Sequence, residues 1–525
     1  MRYTTLIAVL LSAASITFAK EDPGRQILTP PPSATPRING AKIFGARPGN
    51  PFLFKVAATG KKPLEYSAEN LPSGLKIDSE TGIITGKVTK PGEYKAQISV
   101  ANKLGKAERE LRIKIGDTIC LTPPMGWNSW YCHSHLVSED AVREIAKAMY
   151  DKGLVDHGWT YVNIDDCWQG VRGGKYNAIQ PNERFTDMKA MCDYVHSLGL
   201  KPGLYSTPWV GSYAGFIGGS CYTAEGDYSK DYIPEKERLQ KHQFFGRWPK
   251  GKRMNKAGKY WFFDKDAKQW AEWGFDYVKA DWWKSSGPNI KRIHDDLLNC
   301  GRDIVFSLAN NATLNEAEGR AKYANCWRTS GDIKDQWGRV MRNGLSLEPW
   351  LSYSSPGHWN DPDMLQVGML GTPNQQNKTF RPTKLTPDQQ YTQVSLWCIV
   401  SAPLLLSCDI ASLDDFTLSL LTNDEVIEVN QDPGGMQAIR LKPEEGAGNV
   451  ERWVKPMEDG SLAVCMFNLR EKSGFEIKVS WKELGIEGEQ IVRDLWRQKD
   501  LGVYKDSFST PVNNCGVVLV NIRAK

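Results

Sequence analysis

The chain has 525 residues, more than one hydrophobic core holds, so two to four domains are expected. Its 66 basic and 61 acidic residues nearly balance, and nothing in the net charge of +5 asks for a nucleic-acid partner. A 41% hydrophobic and 24% charged composition fits a globular protein, while nineteen tryptophans leave both core packing and stacking on ring-shaped ligands open.

The chain opens MRYTTLIAVLLSAASITFAK. Arg2 supplies a positive start, Leu6–Phe18 a short apolar run, and Thr17-Phe18-Ala19 a small-residue cleavage site. This reads as a secretory signal over residues 1–19, and the expected location is periplasmic or extracellular. No later apolar run reaches about 18 residues, so no membrane span is expected. Export permits disulfides, but the eleven cysteines are odd in number and include no CxxC. His133 and His135 flank Cys132 without a matching pair at ligand spacing, so no metal is expected, and no cofactor is implied.

Residues 20–36 are rich in Pro, Ser and Thr and read as a linker. Over 37–116, short alternating runs (PFLFKVAA, GIITGKV, YKAQISVAN) separated by Gly, Pro and Asn turns predict a small β-sandwich. The stretch LPSGLKIDSETGIITGKVTKPGEY resembles an Ig-like module common on secreted bacterial proteins. It carries no catalytic constellation and reads as a spacer or packing domain, with glycan or surface binding as the alternative.

Between about 120 and 432, strand and helix alternate. Ser138, followed by Glu139 and Asp140, predicts a helix to about Lys152, and Thr186 opens one ending near Gly199. Counting MGWNSW first, the strand candidates continue YVNI, KPGLYS, FDYVKA, DIVFSLAN, CWRTSGDI, HWNDPDML and APLLLSCDI. Eight β/α units fit a TIM barrel, interrupted after strand three by a long loop over 210–262. From 435 to 525 the runs become β-like again (SLAVCMFNL, FEIKVSW, GVVLVNIR), which predicts a C-terminal antiparallel β-sandwich.

A barrel catalyses at the C-terminal ends of its strands. Those ends here are acidic: Asp165-Asp166, Asp281, Asp332 with Arg328, Asp361 with Asp363, and Asp409. Tryptophans 127, 168, 282, 327 and 359 accompany them. Carboxylates accept bonds from sugar hydroxyls and indoles stack on sugar rings, so the pattern points to a polyhydroxylated neutral ligand. Lys279 and Asp281 would share a strand face. Alone, that pair reads as a structural ion pair.

Seven segments in order, TPPMGWNSW, YVNIDDCW, GLKPGLYS, DYVKADW, WRTSGDI, PGHWNDPDMLQVG and SAPLLLSCDI, resemble glycoside hydrolase family 27, the melibiase-type α-galactosidases. The resemblance implies a retaining hydrolase acting on a carbohydrate, with Asp281 as nucleophile and Asp332 as acid/base. Such a pair stands about 5–5.5 Å apart. It further implies that Lys279 binds hydroxyls of the sugar, that Asp165 and Asp166 grip its 4- and 6-side with Trp127 and Tyr205 lining that pocket, and that Arg328 and Asp363 complete it. Asp361 reads as a turn former. A Cys132–Cys167 disulfide is implied in the same way.

Two departures from the family pattern matter. The segment that reads the 2-position, usually Cys-Glu-Trp-like, is here SLANNATLN. Ala309 and Asn310 leave room for a 2-acetamido group, or Asn310 or Asn311 bonds a 2-hydroxyl. Trp283 replaces the cysteine usual two residues past the nucleophile. The readings that follow are an α-galactosidase, then an α-N-acetylgalactosaminidase or β-L-arabinopyranosidase, a more distant isomaltose-releasing dextranase, and a glycan-binding protein without catalysis. The oligomeric state is not legible.

Overall fold

The structure, a computed structural model, describes residues 26–226, 256–281, 287–309, 311–371, 380–443 and 448–525. Expectations that fall on the leader, Trp282, Trp283, Asn310 and residues 227–255 of the long loop lie outside the described residues.

The architecture is a parallel barrel between two β-sandwiches. The barrel strands are β1 (Met125–Asn128), β2 (Tyr161–Asn163), β3 (Lys201–Ser206), β4 (Tyr277–Ala280), β5 (Val305–Leu308), β6 (Cys326–Arg328), β7 (Trp359–Asp361) and β8 (Leu404–Leu406). Hydrogen-bonded neighbours run β7-β6-β5-β4-β3-β2-β1-β8. The last edge closes through an isolated bridge from Leu365, just beyond β7, to Leu406. Ser407 Oγ strengthens that seam by donating to Leu365 O (2.6 Å) and accepting from Gln366 Nε2 (3.0 Å). A helix follows each strand: α1 (Glu139–Asp151), α2 (Met188–Ser197), α3 (Phe263–Trp273), α4 (Gly287–Leu298), α5 (Ala317–Tyr323), α6 (Trp337–Leu345), α7 (Pro387–Ile399) and α8 (Asp415–Leu421).

Local chemistry explains the helix starts. Ser138 Oγ accepts from Ala141 N–H, and Val142, Ile145, Ala146 and Met149 give α1 one buried stripe. The second helix begins one residue later than expected. Asp187, not Thr186, caps it through Ala190 N–H, because the Thr186 hydroxyl is spent donating to Glu139. Thr386 and Gln389 form a capping box at α7 with proline in its first turn. This helix is buried on every side despite Gln390, Thr392, Gln393 and Ser395, because it lies between the barrel and the C-terminal sandwich. Its polar groups find partners there: Thr392 Oγ1 donates to Cys515 O, and Trp496 Nε1 donates to Ser395 Oγ.

The C-terminal domain packs a six-stranded antiparallel sheet on the pair Phe475–Ser480 and Ser507–Val512, around Val464, Ile477, Val479 and Phe508. The N-terminal domain packs a four-stranded sheet on a three-stranded one around Ile84, Val100 and Ile113. It docks on the floor of the barrel, the end away from the catalytic rim. Asp303, just before β5, accepts from Arg47 N–H (2.9 Å) and Asn50 Nδ2 (2.8 Å), while Asn39 Nδ2 donates to Asp156 O (3.0 Å). Among the described residues no helix is long and apolar enough to cross a membrane.

Candidate active site

The acidic strand ends converge. Inside the barrel, β4 stacks Tyr277 in the floor layer, Lys279 above it and Asp281 at the top, as the two-residue strand period requires. Asp281 N–H donates to Ser206 O (2.8 Å), which fixes the strand end, and the residue is only 8% exposed. Asp165, Lys279, Asp281, Arg328 and Asp332 line one pocket, and Asp166 lies at its inner edge.

Asp165, Asp166 and Asp332 each have an identifiable anchor. Lys279 Nζ donates to Asp165 Oδ2 (2.7 Å), and Asp165 Oδ1 accepts from Asp166 N–H (2.9 Å). Burial alone would lower the Lys279 pKa, but Asp165 and Asp281 outweigh it, and the ammonium is held charged. Asp166 is deeper. Its Oδ1 accepts from Cys167 N–H (2.8 Å) and its Oδ2 from Ala214 N–H (2.7 Å). Burial, reinforced by the Asp165 charge, raises Asp166 to about 6 against these bonds.

Across the pocket, the Arg328 guanidinium bridges Asp332 (3.0 Å) and Asp363 (3.0 Å). Asp332 stands at the mouth with its side chain 64% exposed. Desolvation would raise its pKa, but Arg328 and Lys279 prevail and hold the carboxyl below the usual range. Its loop is fixed on both sides. Ile333 N–H donates to Asp363 Oδ2 (2.8 Å), Ile333 O accepts from Tyr131 Oη (2.7 Å), and Gly331 O accepts from Asn343 Nδ2 (3.0 Å).

Asp363 has a left-handed backbone (φ +85°) that breaks β7 and turns the chain toward the Leu365 bridge. Asp361 Oδ1 accepts from Asp363 N–H (2.7 Å), which gives Asp361 the place of a turn former. Burial and the Asp363 charge raise Asp361 to about 6.

Three of the expected pocket residues stand behind the walls. Trp127 is wholly buried and its Nε1 donates to Cys408 O (2.8 Å). Tyr205 is also wholly buried, with Lys279 Nζ 5.7 Å from its ring centre, and Asp363 supports Arg328 from below. Four wall residues were not singled out by the sequence: Trp130, Tyr131, Tyr213 and Met364. Trp130 and Met364 lie inside the quoted GWNSW and WNDPDML segments, whereas Tyr213 opens the long loop and had no signal beyond being aromatic.

The Cys132–Cys167 disulfide that the resemblance implies is not shown by the structure. Polar bonds hold the loop after β2. Cys167 N–H donates to the Asp166 and Gln169 side chains, and its carbonyl accepts from Asn182 Nδ2 (2.8 Å). Among the described residues, no group of three or more His, Cys, Asp or Glu side chains is placed to hold a metal ion.

Comparison with known proteins agrees with this arrangement. The family model "Alpha galactosidase A" matches residues 122–233 and 250–432, a model of the alpha galactosidase C-terminal beta sandwich domain matches 447–522, and an Ig-domain model matches 31–116. Alpha-galactosidase 2 of Arabidopsis thaliana is 33% identical over 410 residues, covering 76% of this chain and 89% of that one. A crystal structure of a candidate α-galactosidase from Bacteroides fragilis superposes with a TM-score of 0.79 at 28% identity, over 95% of this chain and 99% of that one. The GH27 β-L-arabinopyranosidase of Geobacillus stearothermophilus does so with 0.65 at 29%, over 77% and 97%.

Proposed function

Because the chain belongs to the α-galactosidase A family of glycoside hydrolases, family 27, we propose that it releases terminal α-D-galactose from oligosaccharides or glycans with retention of configuration. The observation that carries this reading is one pocket in which a buried Asp281 and an exposed Asp332 stand with Lys279, Asp165 and Arg328. Asp281 attacks the anomeric carbon and forms a glycosyl-enzyme. Asp332 protonates the departing oxygen and then takes a proton from water. Lys279 and Asp165, already paired, orient the sugar's hydroxyls beside Asp281. Arg328 ties Asp332 to Asp363, so the acid/base must collect its proton at acidic pH or exchange its ion pair for the substrate.

Export is part of the same proposal and rests on the leader-like residues 1–19. The test is a panel of nitrophenyl α-galactoside, α-N-acetylgalactosaminide, β-L-arabinopyranoside and α-glucoside, with the product anomer followed by NMR. The α-galactoside is expected to be fastest and α-galactose to appear first. First appearance of β-galactose would overturn retention.

A second reading, α-N-acetylgalactosaminidase activity, is favoured by one observation. Ala309, 6% exposed, is a small residue on the segment beyond β5, where the family pattern has a bulkier one. A pocket that is only roomy discriminates by about 10–200-fold, one built to bond a hydroxyl by about 10⁴–10⁵. Galactoside is expected to win by the smaller margin. Preference for the acetamido sugar would make this second reading the activity.

A further inference from the structure

The long loop begins with a compact turn whose position is set by the active-site acids. Ser212 N–H donates to Phe216 O (2.7 Å), and Phe216 N–H donates back to Ser212 Oγ (3.0 Å). Gly211 and Ile217 form a bridge, and Gly215 (φ +93°) supplies the left-handed residue that lets the turn close. Two bonds tie this turn to the barrel: Ala214 N–H donates to Asp166 Oδ2 (2.7 Å), and Tyr213 N–H points at Tyr205 Oη (3.4 Å). With its acceptor oxygens engaged by backbone donors, Asp166 is the anchor of the turn.

What the anchored turn delivers is Tyr213. Its side chain is half-buried on the pocket wall and meets the half-buried Trp130 edge to face, ring centres 6.1 Å apart at 69°. The two rings come from different segments, after β1 and after β3, and line the same pocket as the exposed Asp332. Burial raises the Tyr213 phenol to about 12, with the charges of Asp332, then Asp281, then Asp166 adding to it, so its hydroxyl is a neutral donor near both catalytic carboxyls. A sugar held by Asp165 and Lys279 against Asp281 fills the inner pocket. The atoms that then lie outward, beside Asp332, belong to the leaving group.

We propose that Tyr213, braced by Trp130, is the wall of the leaving-group subsite and makes the enzyme favour a sugar ring over a small leaving group. This rests on the retaining α-galactosidase reading. An aromatic face suits the C–H-rich face of a pyranose, and a phenol donor at its edge can bond a ring hydroxyl. The wall residue here belongs to this chain's own loop, so the preference is set by that loop and not by the sugar-binding acids.

The test compares two galactosyl donors on wild type, Tyr213→Ala and Tyr213→Phe. One is the α-1,6-galactosyl-glucose disaccharide, whose leaving group is a sugar. The other is α-galactosyl fluoride, which places no ring outside the inner pocket. Tyr213→Ala is expected to lower kcat/KM for the disaccharide at least about tenfold more than for the fluoride, the scale of losing one apolar pocket contact. Tyr213→Phe keeps the ring and should retain most of the wild-type ratio. The inhibition constant for free galactose should be unchanged in both. Equal losses on the two donors, or a weakened galactose inhibition, would place Tyr213 in the inner pocket or in the support of the fold and overturn the proposal. If Tyr213→Ala does not fold, Tyr213→Leu tests the same ratio. Wild type inactive on both donors would overturn the galactosidase reading itself, and the proposal with it.

Discussion

Two aspartates bracket strand β4, and their surroundings differ in kind. Asp276, at the floor, accepts from His196 Nε2 (2.7 Å) and from Arg302 Nε (2.9 Å), and Lys201 lies close enough to add its charge. Burial would raise its pKa, but Arg302, His196 and Lys201 lower it, so the floor carboxylate is fully compensated. At the mouth, Asp281 joins Asp165, Asp166, Asp332, Asp361 and Asp363 beside two ion-paired cations, Lys279 and Arg328. Asp166, Asp361 and Asp363 are raised there, first by burial. The floor, covered by the Ig-like module, has its charge matched. The mouth gathers several carboxyls at one pocket, which a neutral ligand with many hydroxyl donors is suited to meet. One strand therefore carries a charge-matched carboxylate at its floor end and, at its mouth end, a carboxylate set among other acids whose protonation burial favours.

The comparison breaks most visibly when each aspartate is neutralised. Asp281→Asn should lower kcat by about 10³-fold or more, because the nucleophile has no substitute, with the thermal midpoint unchanged or raised. Residual activity within tenfold of wild type, without an added nucleophile, would count against the assignment. Asp332→Ala should cost about 10²–10⁴ on a disaccharide, which needs the departing oxygen protonated. It should cost much less on an aryl galactoside with a good leaving group, and equal losses would remove Asp332 from the acid/base role.

Asp276→Asn is the counterpart at the floor. It leaves Arg302 without its charged partner, a loss of about 3–5 kcal/mol in unfolding free energy, while kcat per folded molecule stays near wild type. A large fall in kcat with intact stability would show that the two ends of β4 are not separate in function.

The pH dependence sharpens the contrast because the two ends differ in sign. Asp166 at about 6 in the folded state lies above its unfolded value of about 3.9, so the folded state binds the extra proton. Stability from this group is present below about pH 4 and is lost as pH rises to about 6, by about 3 kcal/mol. Asp276 is lowered, so its contribution is present above about pH 4 and is lost as pH falls through its folded value. Thermal unfolding at pH 4 and pH 6.5 should therefore show a smaller decline, or a net gain, in Asp166→Asn relative to wild type. Identical differences in both proteins would mean that Asp166 does not titrate in this range.

Much of this was legible in the sequence because the barrel writes its function at strand ends. The apolar runs gave the eight strands, and the acids following them gave Asp165, Asp281, Asp332 and Asp363 before any geometry. The depth at which a side chain stops was not legible. Trp127 and Tyr205 lie behind the wall because their indole and ring packing depend on Cys408 and Lys279, residues distant in sequence. Tyr213 stayed hidden because its position depends on Asp166 reaching across to Ala214 N–H, a contact spanning 48 residues. The start of α2 moved by one residue for the same reason: Thr186 was drawn off by Glu139 from another helix.

The central claim is that the mouth-side aspartate of β4 is the nucleophile of a retaining galactosidase. Trapping tests it most directly. Incubation with a 5-fluoro-α-galactosyl fluoride, which slows breakdown of the glycosyl-enzyme, followed by peptide mass spectrometry should find one fluorogalactosyl group per chain, on the peptide carrying Asp281, with activity lost in proportion. Labelling of a different carboxylate, or turnover of the reagent with inverted product and no label, would contradict the account.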